Sequence, residues 1–123
     1  MHNLKELKIW NKAIDLTVDV YKATSNFPKE EMYGLTSQIK RSAVSVPSNI
    51  SEGAGRNSEK EFVYFLGIAS GSSYELQTQL IISSKLNLLS HEMLEPLLKD
   101  IDEIQKMNYT FQKTLKSRIK EKK

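Results

Sequence analysis

Between Leu4 and about Ser25, apolar residues return every three or four positions. Leu7, Trp10, Ile14, Thr17 and Tyr21 make one line, flanked by Ala13, Leu16 and Val20, while Lys8, Lys12, Asp15, Asp19 and Lys22 take the opposite side. That spacing predicts an amphipathic helix with a wide apolar face, on which Trp10 and Tyr21 read as core residues. Ser25-Asn26-Phe27-Pro28 ends it, and Pro28 followed by Lys29-Glu30-Glu31 has the form of a new helical turn. Gly34 interrupts again, and a second helix follows with Leu35, Ile39, Val46 and Ile50 at helical steps until Gly53 and Gly55. Pro47 lies inside it and cannot donate to the carbonyl of Ala43, so a kink is expected there.

Ser58-Glu59-Lys60-Glu61 has the form of a capping box, opening a third helix from Glu59 to about Leu86. Phe62, Phe65, Leu66, Ala69, Leu76 and Leu80 define its stripe. After a short link with Ser90 as N-cap, a last helix runs from His91 to about Ile119 on Leu94, Leu97, Ile101, Ile104, Phe111 and Leu115. Pro96 falls in its first turns and is expected to displace the start by several residues. No segment alternates with a period of two. The expected fold is all-α, an antiparallel up-down-up-down four-helix bundle with a Pro-kinked second helix.

The second helix is unusual in its small side chains. Ser42, Ser45, Pro47, Asn49 and Gly53 leave little apolar volume, and the middle of the third helix, Gly67 to Ser73, is equally small. Glycine in a helix interior costs about 1 kcal/mol relative to alanine, so Gly67 and Gly71 call for a packing reason. These residues, with Tyr64 out of phase beside Phe65, form the candidate close-packing or subunit-contact set.

At 123 residues the chain fits a single domain. Its 39% hydrophobic and 27% charged content suits a soluble globular protein, with a basic C-terminal end at 113–123 free to fray. The absence of cysteine excludes disulfides, thiolate metal sites and cysteine nucleophiles. No apolar run is long enough to cross a bilayer and the start does not read as a signal peptide, so no membrane association and a cytoplasmic location are expected. The net charge of +3 is unevenly placed: residues 113–123 carry +5 and residues 1–112 carry −2. Lys40, Arg41, Arg56, Lys113, Lys116, Arg118 and Lys120 are therefore the candidate nucleic-acid contacts, since clustered cations bind phosphate with salt-dependent strength.

Catalysis is not expected. Ser37-x-x-Lys40 has a spacing found in acyl-transfer enzymes, but its partner motifs are missing. Gly53-x-Gly55 follows a helix rather than a strand, unlike a dinucleotide loop. His2 and His91 are isolated, and Asp100, Asp102 and Glu103 read as surface charge. Neither a metal nor a cofactor is implied.

The blocks LKIW at 7–10, YGLTSQIKR at 33–41, VPSNI at 46–50, EGAGR at 52–56 and FLGIA at 65–69 together resemble one family. It is the four-helix-bundle proteins encoded within 23S ribosomal RNA intervening sequences, also called S23 ribosomal proteins. The resemblance spans residues 4–90, and the fourth helix follows in pattern alone. It implies an antiparallel bundle without catalytic activity. It also implies a closed homopentamer, as in the related accessory proteins of diversity-generating retroelements, which bind nucleic acid (RNA or DNA being open here) and a reverse transcriptase through basic surfaces. Lys40, Arg41 and Arg56 fall in the family's basic motif. Ser73 and Gln77 depart from it, standing where leucine and glutamate are frequent. The competing expectation is an oligomeric structural or protein-binding scaffold without nucleic-acid affinity.

Overall fold

The computed structural model describes residues 2–121. Four helices carry the fold: α1 (Lys8–Ala23), α2 (Leu35–Ala54), α3 (Glu59–Lys85) and α4 (His91–Glu121). Single 3-10 turns at Leu4–Glu6 and Lys29–Glu31 precede α1 and α2. Each helix packs against two neighbours around a square, α1 with α2 and α4, and α3 with α2 and α4. This is the antiparallel four-helix bundle expected from the hydrophobic pattern.

The core joins Ile9, Leu16 and Val20 of α1, Ile39, Val46 and Ile50 of α2, Phe62, Leu66, Leu76 and Leu80 of α3, and Ile101, Ile104 and Leu115 of α4. Burial of each such side chain contributes about 1.5–3 kcal/mol, which outweighs the weak intrinsic preference of these helices. In α1 the buried line is rotated about one residue from the expected one. Ile9, Ala13, Leu16 and Val20 point inward, Trp10 is half-buried at the edge, and Ile14 and Tyr21 are exposed. The apolar arc of α1 is wider than the core can cover, and small Ala13 is fully buried within it. The helix also starts later than Leu4, because Leu7 is extended and separates the first turn from α1.

Small residues on α2 meet α3. Ser42 and Pro47 are buried, and the hydroxyls of Ser45 and Ser72 lie 2.8 Å apart across the seam. Asn49 Nδ2 donates to both the carbonyl and the hydroxyl of Ser45 at 2.9 Å. A Cβ on Gly53 would come within 2.7 Å of Phe62 Cδ1 and 2.9 Å of Phe65 Cβ, so the backbone of α2 approaches α3 where only glycine fits. Gly67 and Gly71 differ. Nothing lies within 4 Å of a Cβ built on either, and they face outward with exposed Tyr64. Within one chain their smallness has no packing cause.

Helix α2 runs unbroken through Pro47. Thr17 Oγ1 of α1 donates to the Ala43 carbonyl at 3.1 Å, the acceptor that Pro47 leaves without its helical donor. On α3, Ser58 accepts from the Glu61 amide at 3.3 Å, and the Glu61 carboxylate turns to Arg56 instead. At the other end, Asn87 takes a positive φ of 63°, with its amide bonded to Ser84 O and that of Leu88 to Ser83 O. This is a Schellman closure of α3. Ser90 Oγ accepts from the Met93 amide, so α4 starts at His91 and Pro96 does not displace it. Between α3 and α4, buried Asn108 donates to Leu66 O at 2.9 Å. Residues 113–121 continue α4, with Leu115 fully buried in the core. Lys122 and Lys123 lie outside the described residues.

Candidate nucleic-acid interface

The seven candidate cations do not form one surface. Arg41 lies in the second turn of α2 and Arg56 two residues past its end, with roughly 20 Å of helix between them at 1.5 Å per residue. Arg56 is also engaged. Its Nη2 is 2.7 Å from Glu52, its Nη1 is 3.8 Å from Glu61, and its guanidinium lies over the Phe65 ring at 4.9 Å. Two carboxylates and a ring leave it little capacity for a phosphate. Arg118 is 3.6 Å from Glu59, tying the end of α4 to the start of α3. Lys113 and Lys116 border a cleft between α3 and α4 beside Tyr74 and Tyr109, and Lys120 is exposed beyond it.

Lys40 and Arg41 have different surroundings. They line a cleft between α1 and α2 together with Tyr21, Met32, Tyr33, Thr36, Ser37 and Val44. Helical side chains lean towards the N-terminus, so both cations incline over the first turn of α2. Lys40 Nζ lies 4.9 Å from the centre of the Tyr21 ring, a cation–π contact that fixes one wall. Tyr33 is 93% exposed at the rim, immediately before Gly34. Helix α2 begins at Gly34 without a side-chain cap and without an acidic residue in its first turn, its ladder opening with Gln38 donating to Gly34 O. The amides of that first turn and the positive end of the helix dipole therefore favour an anion. On the floor, Thr36 is buried and its Oγ1 has no hydrogen-bond partner.

The chain matches the model of the 23S rRNA-intervening sequence proteins over residues 5–110. It belongs to that family. A crystal structure of a protein of unknown function from the S23 ribosomal protein family of Bacteroides thetaiotaomicron superposes with a TM-score of 0.77. The two are 25% identical, over 85% of this chain and 98% of that one. No protein of curated function matches.

Ser73 and Gln77 of α3 meet a single side chain of α4. Gln105 Nε2 of α4 donates to Gln77 Oε1 at 3.0 Å and to Ser73 Oγ at 3.3 Å, a polar bridge between α3 and α4. Most of the length of α2 separates Lys40 and Arg41 from Arg56. Sequence reasoning missed Thr36 and left Tyr33 without a role. The available signal was an aromatic residue and an uncapped glycine placed directly before a helix that carries cations in its second turn. Among the described residues, no group of three or more metal-ligating side chains occurs, and no helix is long and apolar enough to cross a membrane.

Proposed function

We propose that this protein is a non-catalytic, homo-oligomeric helical bundle that binds nucleic acid through basic surface residues. The observation that carries the reading is the α1–α2 cleft, where Lys40 and Arg41 stand beside two tyrosines and the uncapped end of α2. Cations supply affinity through counterion release, and aromatic faces receive bases. Self-association is supported by apolar side chains left in solvent: Ile14, Val18 and Val44 on α1 and α2, and Tyr64, Ile68 and Ile82 on α3. A closed ring, the pentamer implied by the family resemblance, would bring several copies of the weak cleft together and raise affinity by avidity.

The test is fluorescence anisotropy with labelled RNA and DNA from low to physiological salt. Replacing Lys40 and Arg41 by alanine lowers the log–log salt slope by about 2, one for each phosphate no longer neutralised. Replacing Arg56 leaves that slope unchanged. No binding at low salt ends the nucleic-acid reading, and a monomeric mass by light scattering ends the oligomer. The exposed apolar face of α3 also favours a second reading, a protein-binding scaffold. It requires partner capture that is insensitive to salt.

A further inference from the structure

Between α3 and α4 a cleft of about 340 Å³ has a floor whose polarity is set by two backbone carbonyls of α3. Ser73 Oγ donates its one proton to Ser70 O at 2.6 Å, so it can only accept from Gln105, which must turn its amide nitrogen inward. The second proton of that nitrogen goes to Gln77 Oε1 at 3.0 Å. Buried Asn108 donates to Leu66 O at 2.9 Å, which leaves its Oδ1 to accept from Gln112 Nε2 at 2.6 Å. The partners thus tell the two ends of each amide apart, and both glutamines have their nitrogen engaged. Among the described residues, Oε1 of Gln105 and of Gln112 has no hydrogen-bond partner, and neither belongs to the buried atoms without one. Both residues line the cleft, so these two acceptors open on it.

Tyr74 of α3 and Tyr109 of α4 border the same cleft, and both are exposed. Among the described residues neither ring meets another ring or a cation, so their faces are free. Beyond Gln112 come Lys113 and Lys116, and among the described residues neither is ion-paired. Asp102, at the Gln105 end, is held 3.0 Å from Lys106. Along α4 the order is therefore an aromatic wall with an acceptor, a second acceptor, and then uncompensated positive charge. A nucleotide has the same order: a flat base with N–H donors on its edge, a sugar with hydroxyl donors, and a phosphate. An acidic peptide matches the lysines alone. We infer that the α3–α4 cleft binds a nucleotide, its base against Tyr74 and Tyr109 and on Gln105 Oε1, a sugar hydroxyl on Gln112 Oε1, and its phosphate at Lys113 and Lys116. The same chemistry belongs to a free nucleotide and to one unit of a single strand. This site is separate from the α1–α2 cleft and does not depend on it.

Titration with adenosine monophosphate, followed by calorimetry and by the side-chain amide resonances of Gln105 and Gln112, tests this placement. Tyr109→Ala weakens binding about tenfold, the loss of one stacked base. The analogue whose exocyclic amino group is dimethylated keeps the ring and the phosphate but has no amino proton, and it binds about fivefold more weakly, the loss of one neutral hydrogen bond. Adenosine binds more weakly than its monophosphate, and Lys113→Gln with Lys116→Gln removes that difference while leaving adenosine unchanged. These comparisons alter the ligand or exposed side chains, so they do not turn on refolding. Lys40→Ala and Arg41→Ala leave the affinity for the monophosphate unchanged, which keeps this test distinct from that of the α1–α2 cleft. An oligoadenylate strand displaced by the monophosphate upholds the cleft and assigns it a unit of a strand. A monophosphate that binds where the strand does not upholds it for the free nucleotide. Inorganic phosphate or a polyglutamate peptide that binds as tightly as the monophosphate overturns it, since the lysines then act alone. So does a dimethylated analogue that binds equally with Tyr109→Ala without effect, or an absence of any shift in both amide resonances at millimolar monophosphate.

Discussion

Thr17 of α1 donates its hydroxyl to the carbonyl of Ala43, 26 residues away on α2 and four residues before Pro47. The same hydroxyl is 2.8 Å from the Ala13 carbonyl of its own helix, so its one proton is shared between two acceptors. The cross-helix share repairs the gap that proline opens in the ladder of α2. Thr17→Val keeps the shape and leaves the Ala43 carbonyl unpaired, lowering stability by about 1–3 kcal/mol. In a Pro47→Ala background the ladder is restored and most of that cost disappears. A double-mutant cycle by urea denaturation measures the difference, and additive effects would show that the two residues are not coupled.

Glycines of one chain respond in opposite directions. Gly53→Ala drives a methyl into Phe62 and Phe65 and lowers stability by about 1–3 kcal/mol. Gly67→Ala and Gly71→Ala meet open space and raise helix stability by about 1 kcal/mol each. Thermal unfolding of the three variants gives the signs. Light scattering of the latter two reports whether the outer face of α3 is a subunit contact, since added methyls there reduce assembly if backbones approach.

Asn87 closes α3 in the left-handed region. Asn87→Ala keeps the chain length but strains this backbone, lowering stability by about 1 kcal/mol, whereas Asn87→Gly does not. Equal melting temperatures for the alanine and glycine variants would show that the closure does not depend on this conformation.

His2 links stability to pH. Its amide donates to Ala54 O, and its ring meets Phe62 edge-on at 4.8 Å. Burial holds its pKa below the ordinary 6.5, with the charge of Arg118 acting in the same direction and Glu59 opposing. The unfolded chain thus takes up the proton at a higher pH than the folded one. Stability is full above the ordinary value, falls as pH drops through it, and levels once the folded imidazole is also protonated. His2→Gln removes this component, which acts as pH falls through and below the ordinary 6.5. Melting curves of the two proteins across that range diverge at the acid end. Parallel curves would mean that His2 is as free in the fold as in the unfolded chain.

The hydrophobic periods, the Ser58 and Ser90 caps and the glycine and proline breaks determined the four helices, their order and their antiparallel arrangement. These signals are local, acting within one or two turns, and a chain with short links has few ways to bury four stripes. The family blocks were likewise legible, because they are runs of contiguous residues. Rotation of α1 was not, since its arc offered two adjacent lines and only the packed bundle buried Ala13 and left Ile14 in solvent. The division of Lys40 and Arg41 from Arg56 was equally hidden. Charges close in sequence read as one group until a rigid helix of known rise separates them and nearby carboxylates neutralise one. Thr36 became informative only when packing buried it without a partner. Sequence decides which residues can pair, and tertiary structure decides which are left unpaired.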